Sequence, residues 1–159
     1  MPVATCDVVV LNSWRNATLL CKRTNKPVQG VWYTLGGRLL KNESLVECAR
    51  RKLRAELGLR VDSSRLLLAG GVEEIFADSA FDGVNSHCVN TVFALVLTEA
   101  EEAAQRRQGT LLDGQHSQAR WFARADFESL HAYVRAKLRL VVGTRGGASA
   151  SPPGLNHHR

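Results

Sequence analysis

An α+β domain is the fold class this sequence predicts, and three observations carry it. Residues 3–11, VATCDVVVL, are rich in β-branched side chains and read as a largely buried strand. Residues 45–57 read as an amphipathic helix between a start and a stop signal. A second helical stretch comes late, at about residues 127–140, where Asp126 is placed to cap it. At 159 residues with 45% hydrophobic content, the chain has enough apolar surface for one real core and no room for a second domain.

Residues 12–16 turn the first strand and 17–23 return as a second, so an antiparallel hairpin is expected, with Lys22 and Arg23 near its exit. Pro27 and Gly30 mark 24–30 as a loop, and 31–34 form a short strand leading into a glycine turn at Gly36 and Gly37. After the central helix, 60–64 is a loop, 66–76 a strand with a bulge expected at Gly70 and Gly71, and 77–86 a polar loop with Asp78, Asp82 and Gly83. A strand over 87–97 follows, then a short exposed helix or helical loop over 98–108, a loop over 109–118 and a short strand over 119–123. The domain is expected to occupy 1–142. From Gly143 the content of Gly, Ala, Ser and Pro predicts a disordered tail, 143–159, to which His157 and His158 belong.

The central stretch, residues 36–59, has the most chemical content. Ser44 with Glu47 three residues on makes a capping box, and Gly58 supplies the C-terminal stop. Leu45, Ala49, Leu53 and Leu57 draw one apolar stripe. The charges take the other faces: Glu47 is spaced to pair with Arg51, and Glu56 points away from the stripe in the same row as Lys52. A carboxylate on a helix directly after a Gly-Gly turn can join backbone carbonyls in chelating a hard cation, and such oxygen ligands suit Mg²⁺ bridged to phosphate. The outline is that of a diphosphate site.

Composition narrows the partners. Twenty-one basic residues against 15 acidic give a formal charge of +6, which favours polyanions. The basic residues are dispersed, with neither a Lys/Arg block, nor aromatic interleaving, nor zinc-finger spacing, so a small phosphate-bearing substrate is expected rather than nucleic acid. Cys6, Cys21, Cys48 and Cys88 show no CxxC pairing, and no charged segment followed by an apolar one opens the chain. The expected setting is a reducing cytoplasm, and no apolar run reaches membrane-spanning length.

Gly37, Glu43, Arg51, Leu53, Glu56, Gly58 and Leu59 fall in register on the Nudix box, so the stretch resembles the Nudix family; Lys52 and Ala55 stand where that box has Glu. The GDP-mannose mannosyl hydrolase branch also has a depleted box, with Ala at the position of Ala55. The runs LLCKRTNKPVQGVWYTLGGR, LLKNESL, RAELGLRV and FADSAFDG, the pair Ser86-His87, and Gln115-His116 before Arg120-Trp121 are similar to that branch over roughly residues 3–140. The resemblance implies the α/β/α sandwich of the Nudix fold with a mixed sheet, a homodimer, and hydrolysis of a nucleotide sugar of the GDP-mannose or GDP-glucose type.

By resemblance, Mg²⁺ (or Mn²⁺) is held by the carbonyl of Gly36, by Glu56 and by Gln115. His116 is the general base, Arg23 and Arg38 neutralise the diphosphate, and Asp7 helps hold the nucleotide. Attack at phosphorus calls for several carboxylates around two or more cations, whereas attack at the anomeric carbon needs one cation, arginines for the departing charge and a base. The depleted box favours attack at carbon. Cleavage at phosphorus would need Glu43, Glu47, Glu73 and Glu74 to replace the missing carboxylates, and a third reading is a non-catalytic nucleotide-sugar sensor. For Arg51 a structural pair with Glu43 or Glu47 is weighed equally with substrate contact. Alone, His116 in a polar loop reads as a solvated histidine; Gln115 and the box upstream set it apart. Ile75, Ala77 and Cys88 replace a His and two Tyr of the mannosyl hydrolases, which removes hydrogen bonds a mannose site uses.

Overall fold

The β-branched run at the start of the chain forms β1 (Val3–Leu11), the central strand of a seven-stranded mixed sheet. The computed structural model describes residues 1–79, 83–108 and 116–142, with only the backbone at His116 and Ser117. The tail expected over 143–159 lies outside them. β1 pairs in parallel with β6 (Ser86–Val96) along its whole length, and β5 (Leu67–Phe76) lies antiparallel to β6. The other edge of β1 is shared: Val10 and Leu11 pair with β2 (Ala17–Arg23), while Thr5 to Val8 pair with β4 (Leu35–Arg38). β2 also takes β3 (Trp32–Tyr33) and β7 (His116–Ala123) as antiparallel partners. The sheet therefore opens between β1 and β2, and Thr34, joining β3 to β4, bridges the gap.

Alternation along β1 sends its side chains to two cores. Cys6, Val8 and Val10 pack with Cys48, Ala49 and Leu53 of α1 (Leu45–Leu57) on one face; Val9 and Leu11 pack with Val134, Leu138 and Val141 of α3 (Ala132–Val142) on the other. The result is the expected α/β/α sandwich. Each buried leucine of these interfaces is worth about 1.5–3 kcal/mol relative to exposure. A further helix, α2 (Glu99–Gln108), is exposed as expected and is tied down by Arg65, whose guanidinium donates to both Glu101 carboxylate oxygens at 2.6 and 2.8 Å.

Several local expectations need correction. Gly36 and Gly37 lie inside strand β4 rather than in a turn, because Asp7 and Cys6 of β1 pair with them. The bulge on β5 falls between Leu68 and Gly70, one step earlier than expected. The late helix does not start at Phe127. Arg124–Ser129 is a 3₁₀ turn without a side-chain cap, and α3 begins at Ala132, where His131 Nδ1 accepts the Tyr133 amide at 3.2 Å. Finally, Glu56 does not point outward: it and Lys52 are 1% and 6% exposed. The bare glycines of β4 leave room beside α1, and the two opposite charges enter it together.

Candidate active site

The site is built around a cavity of about 470 Å³ lined by residues of β1, β2, β4, β5 and β6 and by the loop after β2. Asp7 and Thr34 line it from the sheet, Glu74 and Asn90 from β5 and β6, and Arg23, Lys26, Arg38, Arg51 and Lys52 put positive charge around it. Gly36 and Gly37 complete one wall.

Helix α1 reaches this wall with its ends fixed locally. Glu47 N–H donates to Ser44 Oγ at 3.2 Å and Ser44 N–H to Glu47 Oε2 at 2.7 Å, as the capping box requires. Gly58 adopts φ 63°, and its N–H and that of Leu59 donate to the carbonyls of Arg54 and Leu53. Arg51 pairs with Glu43, not Glu47: its Nε lies 2.6 Å from Glu43 Oε1, and a second nitrogen donates to the Arg38 carbonyl at 2.9 Å. Held by Arg51, the Glu43 carboxyl drops from 4.5 to about 2. Cys48 packs behind β4, its thiol 3.5 Å from the Arg38 carbonyl. Cys6, beside Cys48 and buried, has its thiol pushed well up and stays protonated, and all four cysteines are free.

On the α3 side, Lys137 enters the floor with no exposed surface. Its ammonium donates to Asp7 Oδ2 at 2.6 Å and to Thr34 Oγ1 at 3.0 Å, forms an ion pair with Glu74, and lies 4.1 Å from the centre of the Tyr33 ring. Tyr33 donates its hydroxyl to Glu74 Oε1 at 2.6 Å, and Asn90 donates to Glu74 Oε2 at 3.2 Å. Burial and the Glu74 carboxylate push the Tyr33 phenol far up, so it remains a donor. Alternation on β5 separates the two adjacent glutamates. Glu74 is buried in this network, while Glu73 is exposed and meets His87 Nε2 at 2.7 Å.

The expected site residues distribute as follows. Asp7, Arg23, Arg38 and Gly36 all line the cavity; Arg23 also donates from Nε to the Pro27 carbonyl at 2.9 Å and so steadies the loop over it. The backbone of His116 pairs with Arg23 at the end of β7. Gln115 lies outside the described residues. Glu56 is at the back of the wall, where Lys52 Nζ stands 2.7 Å from its Oε1. The sequence reading missed Lys137, Thr34, Tyr33 and Asn90. Only Lys137 carried a signal, as a charge among Val134, Leu138 and Val141 on one apolar face of α3.

A divalent cation on Glu56 would have to share the position of the Lys52 ammonium, so with Lys52 in place the described residues do not fit Mg²⁺. Among the described residues no group of three His, Cys, Asp or Glu is arranged to hold a metal. The other carboxylates considered for that work are already engaged: Glu43 by Arg51, Glu47 by Ser44, Glu73 by His87 and Glu74 by Lys137. What the arrangement offers is a polar recess with Arg23, Lys26, Arg38, Arg51 and Lys52 around it, which suits an anionic ligand.

A family model for the NUDIX domain matches residues 1–141. The low-salt glycan biosynthesis protein Agl8 of Haloferax volcanii is 32% identical over 140 residues, a match that covers 87% of this chain and 81% of that protein. Among solved structures, the MutT protein from Methanosarcina mazei Go1 superposes with a TM-score of 0.67 at 20% identity, covering 91% of this chain and 96% of that one. A MutT/nudix family protein from Enterococcus faecalis gives 0.61 at 18% identity and covers 77% of this chain; the match spans 44% of that longer protein. No described helix is long and apolar enough to cross a membrane.

Proposed function

The chain belongs to the Nudix family, and from that premise we propose that it hydrolyses a nucleoside diphosphate sugar of the GDP-mannose or GDP-glucose type at the anomeric carbon. The observation that carries this reading is the cavity itself: Arg23, Arg38 and Arg51 face a polar floor of Asp7, Thr34 and Asn90, which suits a diphosphate on one side and hydroxyl groups on the other. The similarity to a protein named for glycan biosynthesis supports a sugar-bearing substrate.

In this reading the water oxygen bonds to the anomeric carbon while the carbon–oxygen bond to the β-phosphate breaks, its electron pair leaving on the nucleoside diphosphate. His116 accepts the water proton; Arg23 and Arg38 take up the charge of the leaving group. Asp7 acts from the floor, where Lys137 holds it. Mg²⁺ or Mn²⁺ at Gly36, Glu56 and Gln115 belongs to this reading only if Lys52 withdraws from Glu56. Attack at phosphorus is less well supported, since each glutamate that it would recruit is already engaged, Glu43, Glu73 and Glu74 by side chains and Glu47 by the Ser44 backbone N–H.

Homodimerisation in the cytoplasm belongs to the same proposal. Exposed Leu68, Ile75 and Val89 on one face of β5 and β6 give a dimer an apolar surface, and four free cysteines suit a reducing compartment. The Lys52–Glu56 pair favours one second reading, a sensor that binds a nucleotide sugar without turning it over.

Incubation with GDP-mannose or GDP-glucose in ¹⁸O-labelled water decides among these. Labelled free hexose with unlabelled GDP is the expected result. GMP with hexose 1-phosphate would mean attack at phosphorus, and binding without products would leave the sensor.

A further inference from the structure

Lys52 follows Arg51 in α1, yet only 6% of it is exposed. Its side chain runs along β4: a Cβ added at Gly37 would lie 3.2 Å from Lys52 Cδ, 3.3 Å from Cε and 3.6 Å from Nζ. A side chain at Gly37 would thus press on the Lys52 methylenes and displace the ammonium from this path. Beyond it, Nζ meets Glu56 Oε1 at 2.7 Å, one helical turn on, and Glu56 is 1% exposed. Lys52 also lines the cavity, with Gly36, Gly37 and Arg38.

A fixed positive charge therefore stands between a strand of glycine backbone and a buried carboxylate, on the wall of an anion-binding recess. A divalent cation coordinated by Glu56 would occupy the same place and do the same electrostatic work. An ammonium on a four-carbon stem has three N–H donors, enough for one carboxylate and one phosphate oxygen.

We propose that the Lys52 ammonium substitutes for the divalent metal, so that this cavity binds the diphosphate of its ligand without one. The inference rests on the nucleoside diphosphate ligand argued above. Glu56 then acts as a positioning residue, aiming Lys52 along Gly37 toward the cavity.

The test is calorimetric titration of GDP into the full-length protein stripped with EDTA, and again with Mg²⁺. Equal affinity in the two is expected. The Lys52→Met/Glu56→Gln double variant removes both buried charges and so keeps the fold; it should bind GDP in EDTA roughly 10-fold or more weakly, the scale of one lost charge-assisted contact. Lys52→Glu returns a carboxylate to this place, and with GDP present Mg²⁺ should raise its melting temperature while leaving that of the parent unchanged. Binding of GDP only with Mg²⁺ overturns the inference and spares the ligand. Undiminished binding by the double variant reduces Lys52 to neutralising Glu56 and overturns it as well. No binding in either buffer removes the nucleoside diphosphate reading together with this one.

Discussion

Lys137 Nζ stands 2.6 Å from Asp7 Oδ2, joining α3 to β1 beneath the cavity across 130 residues of sequence. The same ammonium holds Glu74, so two buried carboxylates share one cation that has no exposed surface. Removing the cation leaves both acids facing each other out of water, whereas the intact set satisfies all three groups. Lys137→Met is expected to cost about 3–5 kcal/mol, the range for breaking a buried pair from one side. Urea unfolding at pH 7 measures it, and a cost under about 1 kcal/mol would show that water reaches the network.

Glu43 gives the acid side of the stability profile a definite sign. Its folded carboxyl titrates at about 2 against an ordinary 4.5, chiefly through the hydrogen bond from Arg51. The unfolded chain therefore binds the proton more readily, and the contribution is complete above pH 4.5 and fades as pH falls from 4.5 toward 2. Glu43→Gln should flatten that part of the urea-midpoint profile relative to the parent and leave its shape above pH 5 unchanged. Parallel profiles for the two proteins down to pH 2 would refute the pairing.

The features written in local spacing were readable from the sequence. Ser44, Glu47 and Gly58 act within one turn of the helix ends, so their offsets alone predict the α1 boundaries that are observed. The α+β class follows in the same way from the β-branched run of β1 and the stripe of Leu45, Ala49 and Leu53, while the sandwich itself is what the resemblance implies. The site was only partly readable. Asp7, Arg23, Arg38 and Gly36 were placed by resemblance, and all line the cavity. Lys137 is missed, and Glu74 is weighed only as a carboxylate for metal, because what joins the two is a contact between α3 and β5, which no spacing encodes. Gly36 and Gly37 read as a turn because two glycines usually mark one; pairing with β1 makes them a strand. Lys52 and Glu56 look solvated by their spacing, and only the space beside those glycines buries them.

Arg23 and Arg38 both face the cavity but differ in what else they hold. Arg23 donates from Nε to the Pro27 carbonyl and thereby ties down residues 24–30, part of which covers the site. Each arginine that contacts a phosphate is worth about 1.5–3 kcal/mol of binding. Arg38→Ala should therefore weaken GDP binding by roughly 10- to 100-fold at unchanged melting temperature. Arg23→Ala should match that loss and also speed protease cleavage within 24–30. Equal cleavage rates in the two variants would mean that the Pro27 contact does not restrain the loop.

Gly36 and Gly37 are adjacent, yet an added methyl group meets opposite surroundings at the two positions. At Gly36 it would run into Asp7 Oδ1 and lie 2.5 Å from the Cys6 carbonyl, so β4 would have to move off β1 and lose its pairing. Backbone cannot yield there without breaking the register from Thr5 to Val8. Gly36→Ala should thus cost about 4–5 kcal/mol or more, the exceptional range for a single substitution. At Gly37 the nearest atoms are the Lys52 methylenes at 3.2 and 3.3 Å, the flexible middle of a long side chain. Gly37→Ala should cost only about 1–3 kcal/mol as overpacking, because Lys52 can shift. That shift moves the ammonium along the wall, so Gly37→Ala should fold, yet bind GDP less tightly than the parent in EDTA. Denaturant midpoints and a GDP titration on both variants check the contrast. A Gly37→Ala protein as unstable as Gly36→Ala would show that Lys52 is locked in place by its pair with Glu56.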